Sequence, residues 1–144
     1  MMDVQEVAIS LRQHGFKVTP QRLAVYEGLA RLMGSHPAAG EIYRALREDY
    51  PTMSLATVYK ALEALCAAGL VRRLQVGEEA VRYDADIRSH SHVYCCACGR
   101  VEDFSLASEA QLMREAGALT GYEVQFQQIC FHGLCPDCRG KAKA

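Results

Sequence analysis

The chain has 144 residues, half of them hydrophobic, and 16 Lys and Arg against 17 Asp and Glu give a formal net charge of −1. That much apolar sequence can bury a core as one compact domain or two small ones, and with no internal repeat and no biased segment beyond the tail Lys141–Ala144 a repeat architecture is excluded. The near-neutral balance also excludes a broadly basic nucleic-acid binder, so any basic surface must be local. There is no signal peptide and no apolar span near 20 residues, so the expected setting is the reducing cytoplasm, away from membranes.

Taken in order, Val4–Gln13 carries Val4, Val7, Ala8 and Leu11 at helical spacing. Thr19-Pro20 predicts a helix start, with a side chain able to cap and a proline whose missing N–H costs nothing in the first turn. That helix runs through Leu23, Val25, Tyr26, Leu29 and Leu32 to Gly34, and a third, after Ser35-His36-Pro37, carries Ile42, Tyr43 and Leu46 and stops before Pro51. A fourth is capped by Ser54 and ended by Gly69, with Leu55, Val58, Leu62 and Leu65 as its apolar stripe. Its opposite face shows Ala56, Thr57, Lys60 and Ala64, with Tyr59 on the flank, small residues around one Lys and one Tyr that suit a helix lying in a DNA major groove.

Leu70–Val76 and Ala80–Asp84 read as strands about a Gly77-Glu78-Glu79 turn. Helices followed by such a hairpin predict a winged helix-turn-helix over residues 1–84, with Arg72 and Arg73 at the start of the wing placed for phosphates. Residues 85–144 predict a small α+β unit: an extended stretch at Ser89–Tyr94, a strand at Arg100–Phe104, a helix from Ser108 to about Leu119 broken by Gly121, and a strand over Tyr122–Phe131. An open sheet edge in such a unit could pair with a second copy.

The metal chemistry is concentrated between Ser89 and Asp103. Cys95-x-x-Cys98 there and Cys135-x-x-Cys138 near the end have the spacing of a tetrahedral four-thiolate zinc site, with Gly99 and Pro136 fitting the turns. Disulfides or a redox pair are the competing readings of such cysteines. Cys66 and Cys130 lie in apolar runs and are expected in the core, while Cys96 is expected to point away from the metal. In an extended strand His90 and His92 face the same side, and with Asp84, Asp86 and Asp103 nearby they suggest a mixed nitrogen and oxygen site suited to Fe²⁺, Mn²⁺ or Zn²⁺. A zinc hydrolase would need an open zinc and a general base, and no His-Glu-x-x-His occurs.

Thr19-Pro20-Gln21-Arg22, Ser54-Leu55-Ala56-Thr57-Val58-Tyr59-Lys60, His90-Ser91-His92 before Cys95-x-x-Cys98-Gly99, and the last Cys-x-x-Cys resemble, in order and spacing, the ferric uptake regulator family of bacterial metal-dependent repressors. The resemblance covers nearly the whole chain. It implies a homodimer that binds palindromic operator DNA when loaded with a regulatory metal, with Arg22, Ser54, Thr57, Tyr59, Lys60, Arg72 and Arg73 expected at the DNA. It further implies structural Zn²⁺ on Cys95, Cys98, Cys135 and Cys138, and regulatory Fe²⁺ or Mn²⁺ on His36, Asp84, His90, His92 and Asp103. Asp103, where iron-sensing members usually have Glu, and Gln127, where they have a His, resemble the peroxide-sensing branch. The alternatives are an iron- or manganese-responsive repressor without peroxide sensing and a thiol-based redox switch.

Overall fold

The computed structural model describes residues 2–76 and 81–141, and the chain divides into two compact units, Met1–Ile87 and Arg88–Ala144. The first contains α1 (Val4–Gln13), α2 (Pro20–Arg31), α3 (Ala39–Leu46) and α4 (Leu55–Ala67), followed by β1 (Arg72–Leu74) and β2 (Arg82–Asp84). Side-chain caps fix three of the helix starts. Asp3 and Glu6 form a reciprocal capping box, the Thr19 hydroxyl accepts the Arg22 N–H at 3.2 Å, and the Ser54 hydroxyl accepts the Thr57 N–H at 3.1 Å. Ala38, at the start of α3, supplies no side-chain cap and instead bridges Arg82 of β2.

The core of this unit is built from one face of each helix, with Val7, Leu11, Val25, Leu29, Ile42, Leu46, Val58, Leu62 and Leu65 all buried. A Cβ on Gly28 would come within 2.9 Å of the Leu46 side chain, so the close packing of α2 on α3 needs a glycine there. The apolar stripe of α4 differs from the sequence reading at both margins. Leu55 is 40% exposed, because the first residue of the helix lies beyond the edge of the core, whereas Ala64, expected on the outer face, is buried along with Ala61. Packing of α4 against both α2 and α3 widens the buried face.

β1 and β2 pair antiparallel in the register Arg72↔Asp84, Arg73↔Tyr83 and Leu74↔Arg82. The predicted turn Gly77-Glu78-Glu79 and Ala80 lie outside the described residues. The four helices and this wing make the winged helix-turn-helix expected of the first unit.

The second unit contains β3 (Ser91–Cys95), β4 (Val101–Phe104), α5 (Glu109–Thr120), β5 (Ile129–Gly133) and α6 (Pro136–Lys141). Its sheet has the order β4-β3-β5, with β3 antiparallel to β4 and parallel to β5, the crossover being made through α5. The strand predicted over Tyr122–Phe131 is displaced: 121–128 form no regular structure and β5 starts only at Ile129. Residues 121–128 belong to no strand of the sheet, whose order is β4-β3-β5, and Tyr122 and Phe126 are 78% and 55% exposed. Cys130, expected in the core, is only half-buried, because β5 is an edge strand. Cys66 is likewise half-buried, packed against the first unit's core.

Candidate metal centres

The parallel pairing of β3 with β5 assembles the cysteine cluster. Cys95 ends β3 opposite Gly133, and the Cys96 N–H donates to the Gly133 carbonyl at 2.8 Å, which brings the residues just after β5 beside the first Cys-x-x-Cys. The turn holding Cys95 and Cys98 closes with the Gly99 N–H on the Cys95 carbonyl at 2.9 Å, and Gly99 has φ 78°, open to glycine at little cost. Cys135 precedes α6 and Cys138 lies within its first turn, so this short helix, absent from the sequence reading, sets the second pair's spacing.

The four sulfurs lie within 4.8 Å of one another, and Cys98 Sγ to Cys135 Sγ is 3.9 Å. Four sulfurs tetrahedrally placed at a zinc–sulfur distance of about 2.3 Å are roughly 3.8 Å apart, whereas a disulfide would need about 2.05 Å. The spacing therefore fits one ion. Backbone N–H groups support the thiolates, Cys135 N–H reaching Cys95 Sγ at 3.3 Å and Cys138 N–H reaching Cys135 Sγ at 3.4 Å. The donation from Cys135, then that from Cys98, pulls the Cys95 thiol down to about 6, while the neighbouring Cys135 side chain pushes Cys138 up to about 12. Such a cluster ionises fully only when a cation balances it. Arg100, which the sequence reading passed over, supplies nearby positive charge: its guanidinium is raised first by the charge of Cys135 and reaches Glu102 at 3.2 Å and Asp137 at 3.5 Å. Cys96 is exposed and outside the cluster.

The nitrogen and oxygen donors form one pair in the first unit and a trio in the second. In the first, His36 Nε2 is 3.6 Å from Asp84 Oδ2, with His36 2% and Asp84 3% exposed. His36 has φ 50°, a conformation that costs a non-glycine residue about 1–3 kcal/mol. It is held there from its C-terminal side, where the Tyr83 N–H donates to the Pro37 carbonyl at 2.9 Å and Ala38 bridges Arg82. The same contacts fix the end of β2, and so Asp84. In the second unit, His92 of β3 stands opposite Asp103 of β4, with Nε2 to Oδ1 at 3.1 Å, and His90 Nε2 reaches the same oxygen at 3.6 Å. The two rings are 4.6 Å apart. His90 Nδ1 is 2.6 Å from the Arg88 carbonyl, which places the ring proton on Nδ1 and leaves the Nε2 lone pair pointing towards Asp103. Imidazole and carboxylate groups converging in this way, with His36, Asp84 and His92 buried and Asp103 exposed, suit a first-row divalent ion.

The residues expected at DNA fall into two groups on the first unit. Arg22, Thr57 and Lys60 line one groove together with Thr19, Gln21, Tyr50 and Thr52, and Arg22 is steadied by the Lys17 carbonyl and by the Phe16 ring at 5.7 Å. Ser54 and Thr57 are tied to each other, their hydroxyl oxygens 2.9 Å apart. Tyr59 and Arg73 line a separate pocket with Glu63, Cys66 and Tyr83. Arg72 and Arg73, adjacent on a strand, project to opposite faces, the first half-buried and the second exposed.

Residues 13–132 match the sequence profile of the ferric uptake regulator family. The chain belongs to that family. It is 34% identical over 139 residues to the peroxide-responsive repressor PerR of Staphylococcus aureus, an alignment spanning 96% of this chain and 93% of the relative. Among solved structures it is similar to the Campylobacter jejuni peroxide stress regulator, at 32% identity and TM-score 0.73 over 96% of this chain and 100% of that one. It is also similar to the ferric uptake regulator of Pseudomonas aeruginosa with manganese, at 29% identity and TM-score 0.77 over 94% and 99%. Membership makes the chain a metal-responsive repressor rather than an enzyme, with DNA and a second copy of itself as partners. None of its described helices is long and apolar enough to cross a membrane.

Proposed function

We propose that this repressor senses peroxide in the cytoplasm through a regulatory Fe²⁺ held by His36, Asp84, His90, His92 and Asp103, while Zn²⁺ on Cys95, Cys98, Cys135 and Cys138 holds the second unit folded. The observation that carries the reading is the convergence of His90 and His92 on the short carboxylate of Asp103. Similarity to two proteins named for peroxide response supports it.

Three imidazoles and two carboxylates, those of His36, His90, His92, Asp84 and Asp103, would hold Fe²⁺ in a mixed nitrogen and oxygen donor set that suits it. Bound Fe²⁺ would supply the activation of peroxide beside these side chains. His36 and His90 are the groups to be modified: a ring carbon of one of them would lose two electrons to peroxide and gain one of its oxygens, the other leaving as water. An oxidised imidazole is a weaker donor, so the metal is released. Because His36 and Asp84 belong to the DNA-binding unit and His90, His92 and Asp103 to the other, a shared ion favours one arrangement of the two, and its loss relaxes the grip on a palindromic operator. Arg22, Ser54, Thr57, Tyr59, Lys60, Arg72 and Arg73 make the DNA contacts.

The same donors accept Mn²⁺, and the manganese-bearing relative favours, as a second reading, an iron- or manganese-responsive repressor indifferent to peroxide. Peptide mapping beside gel-shift measurement separates the readings. With Fe²⁺ loaded, one equivalent of peroxide is expected to add a single oxygen to His36 or His90 and abolish operator binding, while the Mn²⁺ form keeps both. Unmodified histidines with the operator still bound would leave the second reading, and a Cys95–Cys98 disulfide with zinc released would point to a thiol switch.

A further inference from the structure

Helix α5 has an inverted burial pattern. Its apolar Leu112 and Leu119 are 41% and 79% exposed, while its first residue, Glu109, is 8% exposed. A carboxylate withdrawn from water is costly unless donors surround it. Glu109 has them: Oε1 accepts the Ser91 hydroxyl at 2.7 Å and the Leu106 N–H at 3.0 Å. Gln127 Nε2 donates to the Glu109 carbonyl at 2.8 Å and fixes the helix start from a third side.

Ser91 is fully buried and stands in β3 between His90 and His92. Side chains alternate along a strand, so Ser91 leaves the face opposite to the one on which the two imidazoles meet Asp103. The ladder with β4, in which Ser91 stands opposite Phe104 and His92 opposite Asp103, converts any shift of Ser91 into a shift of three donor groups.

We propose that Glu109 is a positioning residue for the regulatory metal: through its bond to Ser91 it clamps the back of β3 and so fixes how His90 and His92 are presented. This rests on the metal-site reading above. A hydroxyl-to-carboxylate bond is charge-assisted and short, hence stiff, and metal affinity is sensitive to small displacements of donors. Loss of groups that orient metal-binding side chains lowers affinity by roughly 10–100-fold. Glu109 acts one bond further out, so the lower end, about tenfold, is expected.

The test is Mn²⁺ titration of the full-length, zinc-loaded dimer by electron paramagnetic resonance, on the parent and on S91A, E109A, E109Q and H92A. S91A and E109A are expected to weaken Mn²⁺ binding about tenfold and to change the line shape of the bound ion, with zinc content and circular dichroism unaltered. E109Q, which keeps an oxygen acceptor for Ser91 and Leu106 but loses the charge that acts on His90, is expected to bind Mn²⁺ more tightly than E109A, and S91A/E109A to be no weaker than E109A alone. Because E109A also strips the Leu106 N–H of its acceptor and can disturb folding, S91A decides. A folded, zinc-replete S91A with parental Mn²⁺ affinity and line shape overturns the clamp while leaving the metal site standing. A parent that binds Mn²⁺ no better than H92A overturns both.

Discussion

Burial sorts the cysteines at the scale of single residues. Cys66, near the end of α4, lies half-covered beside the wing, and burial pushes its thiol up to about 11 against the opposing pull of Arg73. Folding therefore favours its neutral form. That preference has no effect on stability below the ordinary value near 9 and becomes destabilising between about 9 and 11, where the unfolded thiol ionises and the folded one does not. Iodoacetamide at pH 8 is expected to label exposed Cys96 while leaving Cys66 largely intact, with labelling of Cys66 rising only as pH approaches 11, as read by peptide mass spectrometry. Equal labelling at pH 8 would contradict the burial argument. The zinc cysteines were legible in the sequence because Cys-x-x-Cys is a local spacing with few other uses. The Ser91–Glu109 bond was not, since its partners lie 18 positions apart and a Glu opening a helix ordinarily reads as a solvated partner of the helix dipole. Nor does any side-chain pattern announce the positive φ of His36, which is a consequence of how Pro37 and Ala38 are tied to β2.

Among the elements, legibility followed how local the determining physics is. Caps at Thr19 and Ser54 act within one turn and appear as predicted. The margins of α4 depend on which helices flank it, and Leu55 and Ala64 were accordingly misassigned. The segment 121–128 is the more informative departure. Its alternation of Tyr122, Val124 and Phe126 is a strand pattern in the sequence, yet it forms no strand, and Tyr122 and Phe126 stay exposed. Exposed aromatic residues alternating along a segment outside the sheet suit a contact with another chain, and in a dimeric family the second copy is the natural occupant. F126D should weaken the dimer by about 2 kcal/mol, roughly 30-fold in dissociation constant, because it puts a charge where an aromatic anchor is expected. Sedimentation analysis of the zinc-loaded variant checks this, and a dimer as tight as the parent's would remove 121–128 from the interface.

For the whole molecule, the decisive property is that the candidate regulatory donors are divided between two units. Within the first, His36 and Asp84 are held by contacts between the 36–38 bend and the wing; within the second, His90, His92 and Asp103 are held by the β3–β4 ladder. Each set could bind a cation weakly by itself, but an ion confined to one unit would have no direct means of biasing the other unit of the same chain. Under the proposed function, a shared ion would gain donors only in the arrangement that presents both sets, and that differential affinity would couple metal to DNA. Reciprocity follows: whatever factor Mn²⁺ adds to operator affinity, operator must add to Mn²⁺ affinity. H36A and H92A, one from each unit, are therefore each expected to lower Mn²⁺ affinity by at least about tenfold and to reduce the mutual enhancement towards unity. Calorimetric Mn²⁺ titrations with and without operator, beside operator titrations with and without Mn²⁺, measure both quantities. If H36A leaves Mn²⁺ affinity unchanged while H92A abolishes it, the ion belongs to the second unit alone, and the coupling must then run through the dimer rather than through a metal shared by the two halves of one chain.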